Sequence, residues 1–188
     1  MLAAAEAEFA ARGFGAASYN GIIKAAGLSK GAMYYYFADK ADLYRTVIER
    51  ALSRFSEATG DLEPFSDAPG FWAEVRALSL RALQAVASAP ELAGLGRSIY
   101  DEGGSRDFLG DLVTRSEDWC TRVLLRGQAV GAVRADIPLD LLATAATGLL
   151  AQCDRWFALH METLAPAELE RLTAVCLDMI EQIASPPT

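Results

Sequence analysis

A chain of 188 residues suits one domain, or a small module joined to a larger one, and a composition 52% hydrophobic and 22% charged excludes a disordered chain. The formal charge of −8, taken as one number, argues against a nucleic-acid partner. It is unevenly placed, however: residues 1–50 hold six Lys/Arg and five Asp/Glu, residues 51–188 eleven and twenty, and Lys24, Lys30 and Lys40 are the only lysines. Contact charges act locally under physiological screening, so this near-neutral head can still meet phosphate.

Alanine, leucine, arginine and glutamate dominate, which favours an all-α protein. The longest apolar stretch, LLATAATGLLAQC, is too short for a membrane span, and the opening MLAAAEAEFAA, with Glu6 and Glu8 in its apolar run, does not read as a signal peptide. Cys120, Cys153 and Cys176 are an odd number without metal spacing, which points to reduced thiols, a cytoplasmic setting and no metal or other cofactor.

In chain order, residues 2–12 read as a helix with Leu2, Ala5 and Phe9 on one side, ended by Gly13 and Gly15. Ser18 is placed to cap a short helix over residues 19–26, closed by Gly27, and Ser29 to cap another over 30–36. Asp39 and Asp42 resemble a capping box opening a longer helix over 40–58. Two short helices about a glycine turn, flanked by longer ones, have helix-turn-helix spacing. After the connector TGDLEPFSDAPG come helices over 71–89, 91–101, 106–130, 138–162 and 166–184. Leu109, Leu112, Ser116, Trp119 and Val123 form one apolar stripe on the 106–130 helix.

The third helix carries the functional argument. Its sequence, KGAMYYYF, puts Met33 and Phe37 on the core face with Tyr36 at its edge, and Lys30, Gly31, Tyr34 and Tyr35 outward, flanked by Ala32. A seven-residue helix cannot bury four consecutive rings, so two tyrosines must be exposed beside lysine. Ammonium and phenol groups suit phosphate oxygens, and a glycine-alanine surface lets a helix approach base edges. The run FAARGFGAASYNGIIKAAGLSKGAMYYYFADKADLYRTVIE thus resembles the TetR family of one-component transcriptional regulators, over about residues 2–50.

This resemblance implies a DNA-binding domain over residues 1–48 and a helical effector-binding and dimerisation domain over 49–188. It implies DNA contacts at Ser18, Tyr19, Lys30, Gly31, Ala32, Tyr34, Tyr35 and Lys40, a palindromic double-stranded operator, and repression relieved by a small, largely apolar effector. Three departures stand out. Gly21 replaces a helix former at a cost of about 1 kcal/mol relative to alanine. Ile23 replaces a small residue, and the basic arm many members carry before the first helix is not in this sequence, either truncated or missing.

For the effector pocket the apolar or amphipathic candidates are Tyr100, Phe108, Trp119, Cys120, Trp156 and Phe157, each of which also suits plain core packing. For a homodimer, two seams are candidates: Leu142, Ala146, Leu149, Cys153 and Trp156 (continuing to His160), and Leu172, Cys176, Met179 and Ile183 (with Leu169). Doubled by a twofold axis they give a four-helix bundle. An enzyme is not expected, since one histidine, no phosphate loop and no nucleophile elbow leave little to build a site from. The remaining alternative is a helical protein-interaction module that kept the head without operator binding.

Overall fold

The computed structural model describes residues 1–100 and 106–187, the side chains at 106–109 excepted. The described residues are helical and contain no strand: α1 Leu2–Ala16, α2 Tyr19–Ala25, α3 Lys30–Tyr36, α4 Lys40–Thr59, α5 Ala68–Ala87, α6 Pro90–Ile99, α7 Arg106–Ala129, α8 Leu139–His160, a 3₁₀ turn Met161–Thr163, and α9 Pro166–Ala184. None of these helices is long and apolar enough to cross a membrane. The all-α expectation holds, and most boundaries fall within a turn of those expected. α5 starts earlier because Asp67 caps it, accepting from Gly70 N–H at 2.8 Å, so that Ala68 and Pro69 open the helix rather than end the connector.

The chain forms two compact units. The first comprises Met1–Ala58 and Gln84–Leu109. Here α1 buries Ala5 and Phe9, and Phe9 meets the Tyr44 ring of α4 edge-on with centroids 5.0 Å apart. Tyr44 is buried, and its hydroxyl lies 2.8 Å from Ser98 Oγ on α6. Because Ser98 Oγ donates to Leu95 O, the Tyr44 phenol is the donor of that pair. α6 lies close against α1: a Cβ on Gly94 would stand 2.8 Å from Ala10 O. Glu6, nearly buried, pairs with Arg54 of α4.

The second unit comprises Thr59–Leu83 and Gly110–Thr188. Its core gathers Phe71 of α5, Cys120 and Leu124 of α7, and Leu142, Ala143 and Ala146 of α8. Among the described side chains the buried line of α7 is therefore Cys120, Leu124 and Gly127; of the expected stripe, Ser116 and Trp119 are exposed, Val123 packs partly buried against the core, and the Leu109 side chain lies outside the described residues. Apolar residues sit on both sides of this helix, so spacing alone does not say which side faces inward. The connector is held by arginines: Arg81 donates to Thr59 O, Asp61 O and Glu74, and the Arg126 guanidinium covers the Phe65 ring at 4.8 Å.

Candidate nucleic-acid interface

The site is built on α2, the turn after it, and α3. Ser18 caps α2, its Oγ accepting from Gly21 N–H at 3.0 Å. The Ser18 N–H in turn donates to Glu8 Oε1 of α1 at 3.0 Å. In a capping box that reciprocal acceptor would be a Glu three residues after the cap. Gly21 stands there instead, and Glu8 supplies the missing carboxylate from the preceding helix.

α2 ends in a Schellman turn. Gly27 has φ 67°, with Leu28 N–H donating to Ile23 O and Gly27 N–H to Lys24 O. Only a residue free of Cβ strain adopts this conformation cheaply, and it redirects the chain at once into Ser29. Ser29 Oγ then accepts from Ala32 N–H at 3.1 Å and opens α3.

α3 buries Met33 completely, while Tyr34, Tyr35 and Tyr36 are 55%, 83% and 61% exposed. Lys30 and Gly31 are exposed, Ala32 is half-buried, and a Cβ on Gly31 would meet only Ser29 Oγ, at 4.0 Å. Tyr36 departs from the expected core edge. The helix stops at it, and Phe37 has extended geometry (φ −135°, ψ 125°), so Phe37 turns into the core while Tyr36 stays outside. The outward surface therefore carries three phenols, and Tyr36 was missed because the helical stripe was extended one residue too far.

Tyr19 joins this surface from α2. Its ring meets Tyr34 edge-on with centroids 5.5 Å apart, and its hydroxyl donates to Phe37 O at 3.4 Å. Burial, followed by the neighbouring Tyr34, Asp39 and Asp42, pushes the Tyr19 phenol above its ordinary value. It is a protonated donor at neutral pH.

Lys40 is placed differently from the expectation of a DNA contact. Its Nζ donates to Phe14 O, Gly15 O and Ala17 O at 2.7, 3.3 and 3.1 Å, and it lies over the Phe14 ring. An ammonium has three N–H groups, so no donor is left for phosphate in this arrangement. Asp39 and Asp42 cap α4 as read: Asp39 Oδ1 accepts from Asp42 N–H at 2.9 Å, and Asp42 Oδ2 from Ala38 N–H at 3.0 Å.

The effector candidates do not converge. Trp119 and Trp156 are exposed, Cys120 is in the second unit's core, and Tyr100 belongs to the first unit. The Phe108 side chain lies outside the described residues. Trp156 and Phe157 touch, edge-on at 5.5 Å. The expected dimer seam on α8 is partly buried within the protomer. Leu142 and Ala146 are inside their own unit's core, and the outward stripe is Leu141, Ala145, Gly148, Gln152, Trp156 and Leu159. On α9, Met179 and Ile183 are exposed as expected, with Val175 beside them, and Leu172 and Cys176 are half-buried.

Residues 1–47 match the profile described as bacterial regulatory proteins, tetR family. No curated protein sequence matches the chain. Among solved structures, the chain is similar to the transcriptional regulator FadR of Bacillus subtilis in complex with stearoyl-CoA (16% identity, 95% of each chain covered, TM-score 0.74). It is similar to NalD of Pseudomonas aeruginosa, the secondary repressor of the MexAB-OprM efflux pump (17%, 98% and 94%, 0.72). It is also similar to the TetR family regulator PfmR of Thermus thermophilus (22%, 96% of each, 0.64). The match to the tetR family thus covers the amino-terminal 47 residues, and over nearly its whole length the chain shares the helical fold of such regulators.

Proposed function

We propose that the chain is a transcriptional repressor that binds a palindromic operator as a homodimer, in the cytoplasm, and is released by a small, largely apolar effector. The observation that carries this reading is the outward surface of α3, where Tyr34, Tyr35 and Tyr36 stand free beside Lys30 and Gly31. Phenol hydroxyls and the Lys30 ammonium supply phosphate contacts, and the bare Gly31 backbone beside Ala32 lets the start of the helix approach base edges. Ser18 adds a contact from the start of α2, Tyr19, its one O–H given to Phe37 O, supports the Tyr34 ring, and Lys40 holds the head in shape. The head comprises residues 1–48, and the remainder serves effector binding and dimerisation.

The uncovered apolar stripes of α8 and α9 support the homodimer. Leu141, Leu159, Val175 and Met179 are each 39% exposed or more, and Ala145 and Gly148 leave room for a second helix to approach. The effector class rests on the apolar second unit and on the acyl-CoA bound by the B. subtilis regulator of the same fold.

Fluorescence anisotropy with duplexes tiled across the DNA upstream of the chain's own gene and its neighbours tests the reading. Specific binding should weaken steeply with salt, as counterion release requires, and Tyr35→Ala should lower affinity about tenfold without changing the melting temperature. Binding of every duplex alike, indifferent to Tyr34 and Tyr35 substitution, would defeat it.

A further inference from the structure

The three thiols are free, and they are not alike. Cys120 is sealed in the second unit's core. Cys153 and Cys176 are half-buried and face each other across the α8–α9 hairpin. The register fits this pairing: the hairpin turns near Leu164, about as far along the chain from Cys153 as from Cys176. The two thiols are close enough for Cys176 to act on the proton of Cys153. Desolvation first, then Cys176 and Asp154, push the Cys153 thiol up to about 12.

We propose that Cys153 and Cys176 are a modification site: a hydroperoxide oxidises them to a reversible intrachain disulfide that staples α8 to α9. The Cys176 thiolate attacks the outer peroxide oxygen, the O–O bond breaks, and the alcohol (or water) leaves with a proton, giving a sulfenic acid. The Cys153 sulfur then attacks the Cys176 sulfur and the S–S bond forms. The sulfenic hydroxyl departs as water, taking the proton that Cys153 held. Two thiols are oxidised by two electrons and one peroxide is reduced. Thiol contact makes the second step intramolecular, so it outruns further oxidation of the sulfenic acid. The proton held on Cys153 makes it the resolving partner and keeps the pair reduced under mild conditions.

Oxidation of this pair does not depend on operator binding, so its test is chemical. The full-length protein is treated with cumene hydroperoxide, denatured, and its thiols counted and peptides mapped without reduction. The titre should fall from three to one, with Cys153 and Cys176 in one crosslinked peptide, no covalent dimer, and full recovery with dithiothreitol. The melting temperature should rise on oxidation. Cys120→Ala should keep the crosslink, and Cys153→Ser should instead leave a Cys176 sulfenic acid that dimedone traps. A titre that stays at three, a bond between two chains, or sulfinic acid at Cys176 in the unsubstituted protein would each overturn the proposal; because these are read on the unsubstituted chain, a variant that fails to fold does not obscure them.

Discussion

The Lys40 ammonium, gripped by three backbone carbonyls at the end of α1, and the Tyr35 phenol, reaching into solvent from α3, divide the head's polar side chains into two kinds. Lys40→Met keeps an apolar stem over Phe14 but leaves those carbonyls without a donor. It should cost about 1–3 kcal/mol, visible as a melting temperature lower by several degrees. Tyr35→Ala should leave melting untouched. If Lys40→Met instead weakened operator binding with melting unchanged, Lys40 would be a phosphate contact after all. The outward tyrosines were legible in the sequence because a seven-residue helix fixes their direction by arithmetic. The grip on Lys40 was not, because its acceptors lie over twenty residues away in the chain and are backbone atoms that any sequence would offer.

The caps show at the scale of elements how local grammar and long-range packing share the work. Ser18, Ser29 and Asp39 were readable from spacing, and each caps its helix. That Glu8 would complete the first cap in place of Gly21 was not readable, since it depends on how α1 crosses α2. Gly94 marks another such crossing. Gly94→Ala would drive its methyl into the Ala10 carbonyl, so despite alanine's better helix propensity we expect a loss of about 1–3 kcal/mol in denaturant unfolding. Glu74 gives a dependence on pH. The Arg81 guanidinium first, and the Glu63 N–H next, hold its carboxyl below the ordinary value of 4.5. The folded state thus binds this proton more weakly than the unfolded one. The contact's contribution is complete above about pH 4.5 and drains away as pH falls through the depressed value. Glu74→Gln should flatten that part of the acid-denaturation curve.

For the whole molecule, the decisive surface is the outer stripe of α8. The sequence showed an apolar seam there but put it one position off, at Leu142 and Ala146, because Leu141 and Ala145 beside them are equally apolar and period alone does not separate the two sides. Burial separates them. Gly148 lies on the outer stripe with open space where a side chain would stand, so Gly148→Arg should not disturb the protomer's packing. It would bar a second copy from close approach. If the unsubstituted chain is the dimer proposed, light scattering should report a monomer for the variant at concentrations where that dimer forms, with helical content by circular dichroism unchanged. A dimer that survived the arginine would move the interface elsewhere. The effector site was the least legible part. Its candidates were chosen as isolated aromatic residues, and lining a cavity is a joint property of several helices that no single stripe encodes.

The tether from Lys40 to the end of α1, the phenol of Tyr44 anchored on Ser98, and Glu8 reaching to Ser18 tie α1, α2, α4 and α6 to one another within the first unit. On the proposed reading, a signal that releases DNA would find no easy route through loosening this frame. It would instead move the unit as a single lever, so that the three tyrosines would leave the groove together and return together.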